Sequence, residues 1–221
     1  MNELGIRKKI IALCKQMNAT GLNQGTSGNI SAVYDNNMLI TPSGIFYDDM
    51  QPEQIASISL EQPGGDYQGP CKPSSEWQFH RAILKSNAAF AAVVHTHSNY
   101  AIVLSIVRQS IPACHYMIAA FGGNSVRCAD YATFGTNELS ENILKAMQDR
   151  SACLMANHGM VVAGENLDKA MWAAVELEAL SRQYYEARLL GDMVILPVSE
   201  MDVVLENFKS YGVQSKDEPT S

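Results

Sequence analysis

Five apolar residues, Phe90-Ala91-Ala92-Val93-Val94, run straight into His95-Thr96-His97, and no other stretch constrains the fold as tightly. Ser86-Asn87 precede it and Ser98-Asn99 follow, so it reads as a short buried strand bounded by turn residues. Side chains alternate faces along a strand, which puts His95 and His97 on one face and Thr96 on the other. Two imidazoles on one face at a strand's end can share a divalent ion. Zinc takes such nitrogens at about 2.0–2.1 Å and is held by three or four protein ligands. Two histidines that merely close hydrogen bonds at a strand end fit the same pattern, so other segments must decide.

The 221 residues suffice for one sizeable core, and the chain reads as one domain over 1–213 with a polar tail at 214–221. A formal net charge of -7 argues against a nucleic-acid surface, but not against a small anionic ligand, which needs only local donors. Cys14, Cys71, Cys114, Cys128 and Cys153 are odd in number and form no CxxC pair, a pattern of reduced thiols. The first nine residues carry charge without an apolar run behind them, and no run approaches the roughly 20 residues of a membrane span. A cytoplasmic protein with no nucleic-acid or membrane partner is expected.

Residues 3–19 show helical spacing in Ile6, Ile10, Leu13, Cys14 and Met17, with Gly21 as the stop. Residues 21–31 form a loop dense in glycine, hydroxyl and amide groups. It follows a helix and precedes a strand, the reverse of a dinucleotide fingerprint. Its N–H groups, with Thr26, Ser27 and Asn29, can wrap an anion; a plain tight turn explains it equally. Strands are expected at 30–34 and 38–41 around an Asp35-Asn36-Asn37 hairpin turn and at 55–60, with loop over 61–72. Pro73-Ser74-Ser75-Glu76 opens a helix, with Ser75 and Gln78 spaced as a capping box. Ser74 and Ser75 at that N-terminus suit a phosphate, and Glu76 by itself is an ordinary first-turn acid.

Further on, a helix is expected over 100–107, extended chain over 111–117, a helix over 137–148, and strands at 152–156 and 160–163. A long helix over 168–190 has a stripe including Trp172 and Val175 that reads as core. Asn157-His158-Gly159 ends the strand at 152–156, so His158 repeats the design of a histidine at the end of a buried strand. That third imidazole favours a metal.

Taken together, GLNQGTSGNIS (21–31), LITPSGI (39–45), PSSEWQFH (73–80), VVHTHS (93–98), HYMIAAFGGN (115–124), YATFGT (131–136), NHGMV (157–161) and FKSYG (208–212) resemble the class II aldolase/adducin family. The likeness is to its L-fuculose-1-phosphate aldolase branch, in the same order over nearly the whole chain. The resemblance implies an α/β fold, a single domain with a central, mostly antiparallel sheet flanked by helices, assembled as a fourfold-symmetric homotetramer. It implies one zinc ion per subunit held by His95, His97 and His158, with Glu76 as fourth ligand when no substrate is bound and as catalytic acid/base once it leaves the metal. It places the substrate phosphate among Gly28, Asn29, Ser43, Gly44, Ser74 and Ser75. Tyr116 matches a proton donor that reaches a neighbouring subunit's site, and Phe134 and Tyr211 match residues at the aldehyde end.

The implied reaction is cleavage of a ketose 1-phosphate to dihydroxyacetone phosphate and a small aldehyde. L-fuculose 1-phosphate, 5-deoxyribulose 1-phosphate and 5-methylthioribulose 1-phosphate share the phosphorylated half, so the metal and phosphate motifs do not choose among them. An L-ribulose-5-phosphate 4-epimerase and a methylthioribulose-1-phosphate dehydratase are the alternatives within the superfamily; Glu76 and the segment around Tyr116 favour the aldolase. A non-catalytic assembly protein is disfavoured because Glu76 and all three histidines are present. Thr96, Ser98, Asn99 and Asn157 depart from the family pattern beside the ligands. His80 and His115 read as structural.

Overall fold

The structure is a computed structural model and describes residues 1–208; Tyr211 and the tail at 214–221 lie outside the described residues. Its strands are β1 (Asn29–Tyr34), β2 (Asn37–Ile40), β3 (Ala56–Ser59), β4 (Tyr67–Gln68), β5 (Ala92–Thr96), β6 (Ile111–Pro112), β7 (Ser125–Ala129), β8 (Ala152–Met155) and β9 (Gly159–Gly164). They form one sheet in the order β4-β3-β2-β1-β5-β9-β8-β7-β6. Among the described strands only β7 and β8 pair in parallel, so the sheet is mostly antiparallel as expected. The helices are α1 (Glu3–Ala19), α2 (Trp77–Ser86), α3 (Asn99–Ile106), α4 (Asn137–Ala146), α5 (Leu167–Leu190) and α6 (Val198–Phe208).

The pleat sorts the core into two layers. Ala92 and Val94 of β5 pack with residues of α1, α3 and α5, while Val93 packs with Phe79 and Ile83 of α2 and Ile143 of α4. His95 has the parity of Val93 and so faces α2. Thr96 is turned to the other layer. The β1–β2 hairpin closes through Asp35 (φ 45°) and Asn36 (φ 60°), with Tyr34 opposite Asn37. A two-residue hairpin turn of this kind needs positive φ at both central positions, which Asp and Asn tolerate. The N-terminus of α3 is capped from outside: the Glu178 carboxylate of α5 accepts from the Tyr100 and Ala101 N–H groups at 2.8 and 3.0 Å.

Several expectations are corrected. The capping box at Ser75 does not form; α2 starts at Trp77 with Glu76 as its N-cap and no side-chain cap bond, because the Glu76 side chain turns to the histidines instead. Extended chain stops at Pro112, where Cys114 N–H donates back to the Pro112 carbonyl, and Tyr116–Phe121 is a 3-10 turn capped by His115. Trp172 and Val175 are not core: they are 43% and 46% exposed, since α5 carries apolar residues on more of its surface than the sheet covers. The loop over 61–72 contains the short β4, and β7 and α6 had no expectation from sequence.

Candidate active site

Three histidines and one acid meet at one end of the sheet. His95 is the penultimate residue of β5, His97 follows one residue beyond the strand, and His158 sits in the turn between β8 and β9 rather than at the end of a strand. The β5–β9 pairing brings them together, with His95 opposite Val161 and Thr96 opposite Met160. That approach requires glycine after His158, because a Cβ on Gly159 would lie 2.5 Å from the Thr96 carbonyl oxygen. Gly28 is required likewise: a Cβ there would stand 2.8 Å from the His95 carbonyl oxygen and 2.9 Å from Asn23 Oδ1. Asn23 Oδ1 in turn accepts from the His97 N–H at 3.1 Å.

The imidazole rings are mutually steep, with interplanar angles of 76°, 80° and 86° and all three centroid separations at 4.9 Å. Their ligand atoms lie within 4.8 Å of one another. His95 Nδ1 donates to the Met160 carbonyl at 2.9 Å, which fixes the tautomer and leaves Nε2 as a lone pair. That lone pair faces His97 Nε2 at 3.0 Å and Glu76 Oε2 at 3.3 Å, and Glu76 Oε1 stands 3.1 Å from His158 Nε2. Glu76 Oε1 is buried with no hydrogen-bond partner. Acceptors crowded together without protons to share are costly in a protein interior, and a divalent cation satisfies all of them.

Charge states agree with this. Burial pushes the His95 imidazole down to about 3 and lowers His97 as well, so both rings are neutral and able to ligate. For Glu76 burial alone acts upward, but His95, His158 and the Asn29 amide outweigh it and hold the carboxyl well below its usual range. An ionised acid beside the neutral His95 and His97 rings suits a divalent ion.

The cluster opens into a cavity of about 440 Å³, within the about 300–1,000 Å³ of small-molecule sites. Gly28, Asn29, Ser43, Gly44, Ser74, Ser75, Glu76, His97, His158 and Phe134 all line it. Ser43 and Ser74 spend their backbone N–H groups on the Lys72 and Thr41 carbonyls, so they present hydroxyls to the cavity. A larger groove of about 1390 Å³ runs past the C-terminal ends of α2 and α4 and the start of α5, but it contains none of the histidines. The smaller cavity is the one that Glu76, His97 and His158 line.

Tyr116 is not brought to this cavity within the chain. It stands 48% exposed on the 3-10 turn, stacked on His115 at 4.8 Å. Tyr131, Ala132 and Asn157 also line the cavity and were not among the expected site residues, although Asn157 beside His158 was visible as a departure from the family pattern. His80 lies outside the cluster yet bonds to Asn29, a contact that no sequence spacing shows.

A model of the class II aldolase and adducin N-terminal domain matches residues 8–185. The chain belongs to this family. Among curated relatives of the aldolase, the 5-methylthioribulose-1-phosphate/5-deoxyribulose-1-phosphate aldolase of Rhodospirillum rubrum is 46% identical over 211 residues, 96% of this chain and 94% of that protein. The L-fuculose phosphate aldolase of Escherichia coli is 45% identical over 210 residues, covering 95% of this chain and 96% of that one. A solved L-fuculose 1-phosphate aldolase superposes with a TM-score of 0.88 at 38% identity, over 93% of this chain and 96% of its own. The chain is therefore a class II aldolase, a lyase, and its three-histidine cluster is able to bind the metal on which such enzymes depend. No helix among the described residues is long and apolar enough to cross a membrane.

Proposed function

We propose that this aldolase holds zinc on His95, His97, His158 and Glu76 and cleaves a ketose 1-phosphate to dihydroxyacetone phosphate and a small aldehyde. The single observation that carries the reading is the buried Glu76 carboxylate, its two oxygens 3.1 and 3.3 Å from His158 Nε2 and His95 Nε2, at the wall of the cavity. When bound there, zinc supplies Lewis acidity to the substrate's carbonyl and neighbouring hydroxyl oxygens. The hydroxyls of Ser43, Ser74 and Ser75, with the backbone at Gly28 and Gly44 and the Asn29 amide, hold the phosphate and so fix the reacting carbons. In the condensation direction the Glu76 carboxylate, released from the metal, takes a proton from the third carbon of dihydroxyacetone phosphate. The Tyr116 phenol gives its proton to the aldehyde oxygen as the bond between the third and fourth carbons forms. Cleavage runs the same transfers backwards from a protonated Glu76 and a Tyr116 phenolate.

Tyr116 acts from a neighbouring subunit of a fourfold-symmetric homotetramer. Its exposure away from its own chain's cavity supports this, as do the exposed Val103, Ile106 and Val107. Free cysteines, two of them buried, support a reducing, cytoplasmic setting. Phe134, at the cavity wall, serves the aldehyde end. Relatives of similar identity carry the names of both substrate types, so L-fuculose 1-phosphate, 5-deoxyribulose 1-phosphate and 5-methylthioribulose 1-phosphate make the test panel. Turnover is read as dihydroxyacetone phosphate released, with and without chelator. Chelator-sensitive release from at least one ketose 1-phosphate is expected. Chelator-insensitive release, or faster epimerisation of L-ribulose 5-phosphate with no triose formed, would overturn the reading.

A further inference from the structure

Behind Glu76 runs a buried chain of three side chains whose hydrogen-bond polarity is fixed by its ends. Asn29 Nδ2 donates to Glu76 Oε2 at 2.8 Å, so the Asn29 carbonyl oxygen points away from the acid. That oxygen meets His80 Nε2 at 2.5 Å and can only accept, so Nε2 carries the proton. His80 Nδ1 is then the acceptor, and Ser31 Oγ donates to it at 2.8 Å. The order is Ser31 to His80 to Asn29 to Glu76, each donating to the next.

Sequence and fold both serve this arrangement. Asn29 and Ser31 are i, i+2 on β1 and share a face, and His80 comes from the first turns of α2, four residues after Glu76. His80 is fully buried, and its ring stacks on Phe79, whose edge meets His95. The chain cannot work as a proton wire, because the amide of Asn29 would have to be protonated on oxygen and deprotonated on nitrogen. What it can do is hold an orientation. Without His80 the Asn29 amide is free to turn over and set its carbonyl against the carboxylate.

We infer that His80 is a positioning residue: through Asn29 it commits Glu76 Oε2 to a fixed donor, which leaves Oε1 as the oxygen that exchanges the substrate proton. The inference rests on the proposed function for the zinc ion and for the identity of that proton. The orientation itself is a property of this chain, and partners of this kind behind metal ligands typically control affinity or activity by about 10–100-fold.

The test compares His80→Phe, which keeps a ring and removes both nitrogens, with His80→Gln, whose amide can donate to Asn29 and accept from Ser31. Zinc affinity is read by competition with a chromogenic chelator, alongside kcat and KM. His80→Phe is expected to lose about 10–100-fold in zinc affinity and kcat while KM for the ketose phosphate stays within about twofold. His80→Gln is expected to recover most of both. Nitrogen-15 chemical shifts of the wild-type protein give a measurement that needs no variant to fold: His80 should carry its proton on Nε2. An Nδ1-protonated His80, unchanged zinc affinity in His80→Phe, or no recovery in His80→Gln would overturn the inference. Zinc affinity and tautomer are read without turnover, so failure of the aldolase assay alone leaves them to decide.

Discussion

Asn29 lies directly opposite His95 in the antiparallel pairing of β1 with β5, and its amide donates to the same carboxylate oxygen that stands 3.3 Å from that histidine. Strand register thus sets the distance between a ligand and the group that orients its neighbour. A slip of one residue would turn Asn29 to the opposite face and leave Glu76 with no donor.

Replacing Glu76 by Gln keeps the Asn29 bond within reach but removes the basic oxygen. The expected result is a fall in kcat of about 10²–10⁴-fold, with zinc retained more weakly on the three imidazoles. Elemental analysis after dialysis, set beside steady-state rates, checks it. His158→Ala is expected to weaken zinc binding, because one of the four proposed ligands is lost.

Tyr116→Phe is expected to fold normally, since the exposed phenol makes no core contact, and to lose about 10²–10⁴-fold in kcat. If Tyr116 acts across the proposed subunit interface, unfolding, mixing and refolding Tyr116→Phe with Glu76→Gln gives mixed assemblies in which an intact Tyr116 faces an intact Glu76. Activity returning well above that of either parent is the expected outcome. No recovery would place Tyr116 in its own chain's site.

The two close-approach glycines give a stability prediction. Gly159→Ala sets a Cβ 2.5 Å from the Thr96 carbonyl and 3.4 Å from His97 Cδ2, and Gly28→Ala sets one 2.8 Å from the His95 carbonyl. Backbone must move in both, at a cost of about 1–3 kcal/mol each, and the histidines move with it. Denaturant unfolding and zinc titration of the two variants should show both losses together.

Stability of the metal-free protein should fall as pH drops. His80 and His95 are pushed from 6.5 down to about 3, chiefly by burial, so the folded chain leaves them unprotonated where the unfolded chain binds protons. With more protons on the unfolded state, stability rises with pH. These groups therefore contribute fully above 6.5 and progressively less from 6.5 toward 3. Glu76, held below its usual 4.5, adds a loss of the same sign at the acid end. Melting temperatures of chelator-treated protein across this range check the slope, and zinc should steepen it because protons compete for the ligands.

Much of this was legible in the chain itself. Apolar runs of four to six residues ending in histidine announce buried strands with imidazoles at their mouths, and β5 lies where Phe90–Val94 and His95 indicate. Asp35-Asn36 announces the hairpin through its tolerance of positive φ. The capping box at Ser75 misled because a local motif competed with a long-range demand: Glu76 is drawn into the metal cluster, so the helix begins one residue after it. Trp172 misled because periodicity marks an apolar stripe but not how wide a stripe the sheet covers.

By itself the sequence determined the candidate histidines and acid, the strand that carries His95 and the family, since residue type and spacing along the chain are local properties. Only the tertiary structure decided that Glu76 points Oε1 at His158 and Oε2 at Asn29, that a Cβ at Gly28 or Gly159 would come within 3 Å of a neighbouring carbonyl oxygen, and that His80 stands behind Asn29. Those are facts of strand register and helix docking between segments far apart in the chain. Spacing along one strand cannot express them, because they depend on which partner lies across the sheet.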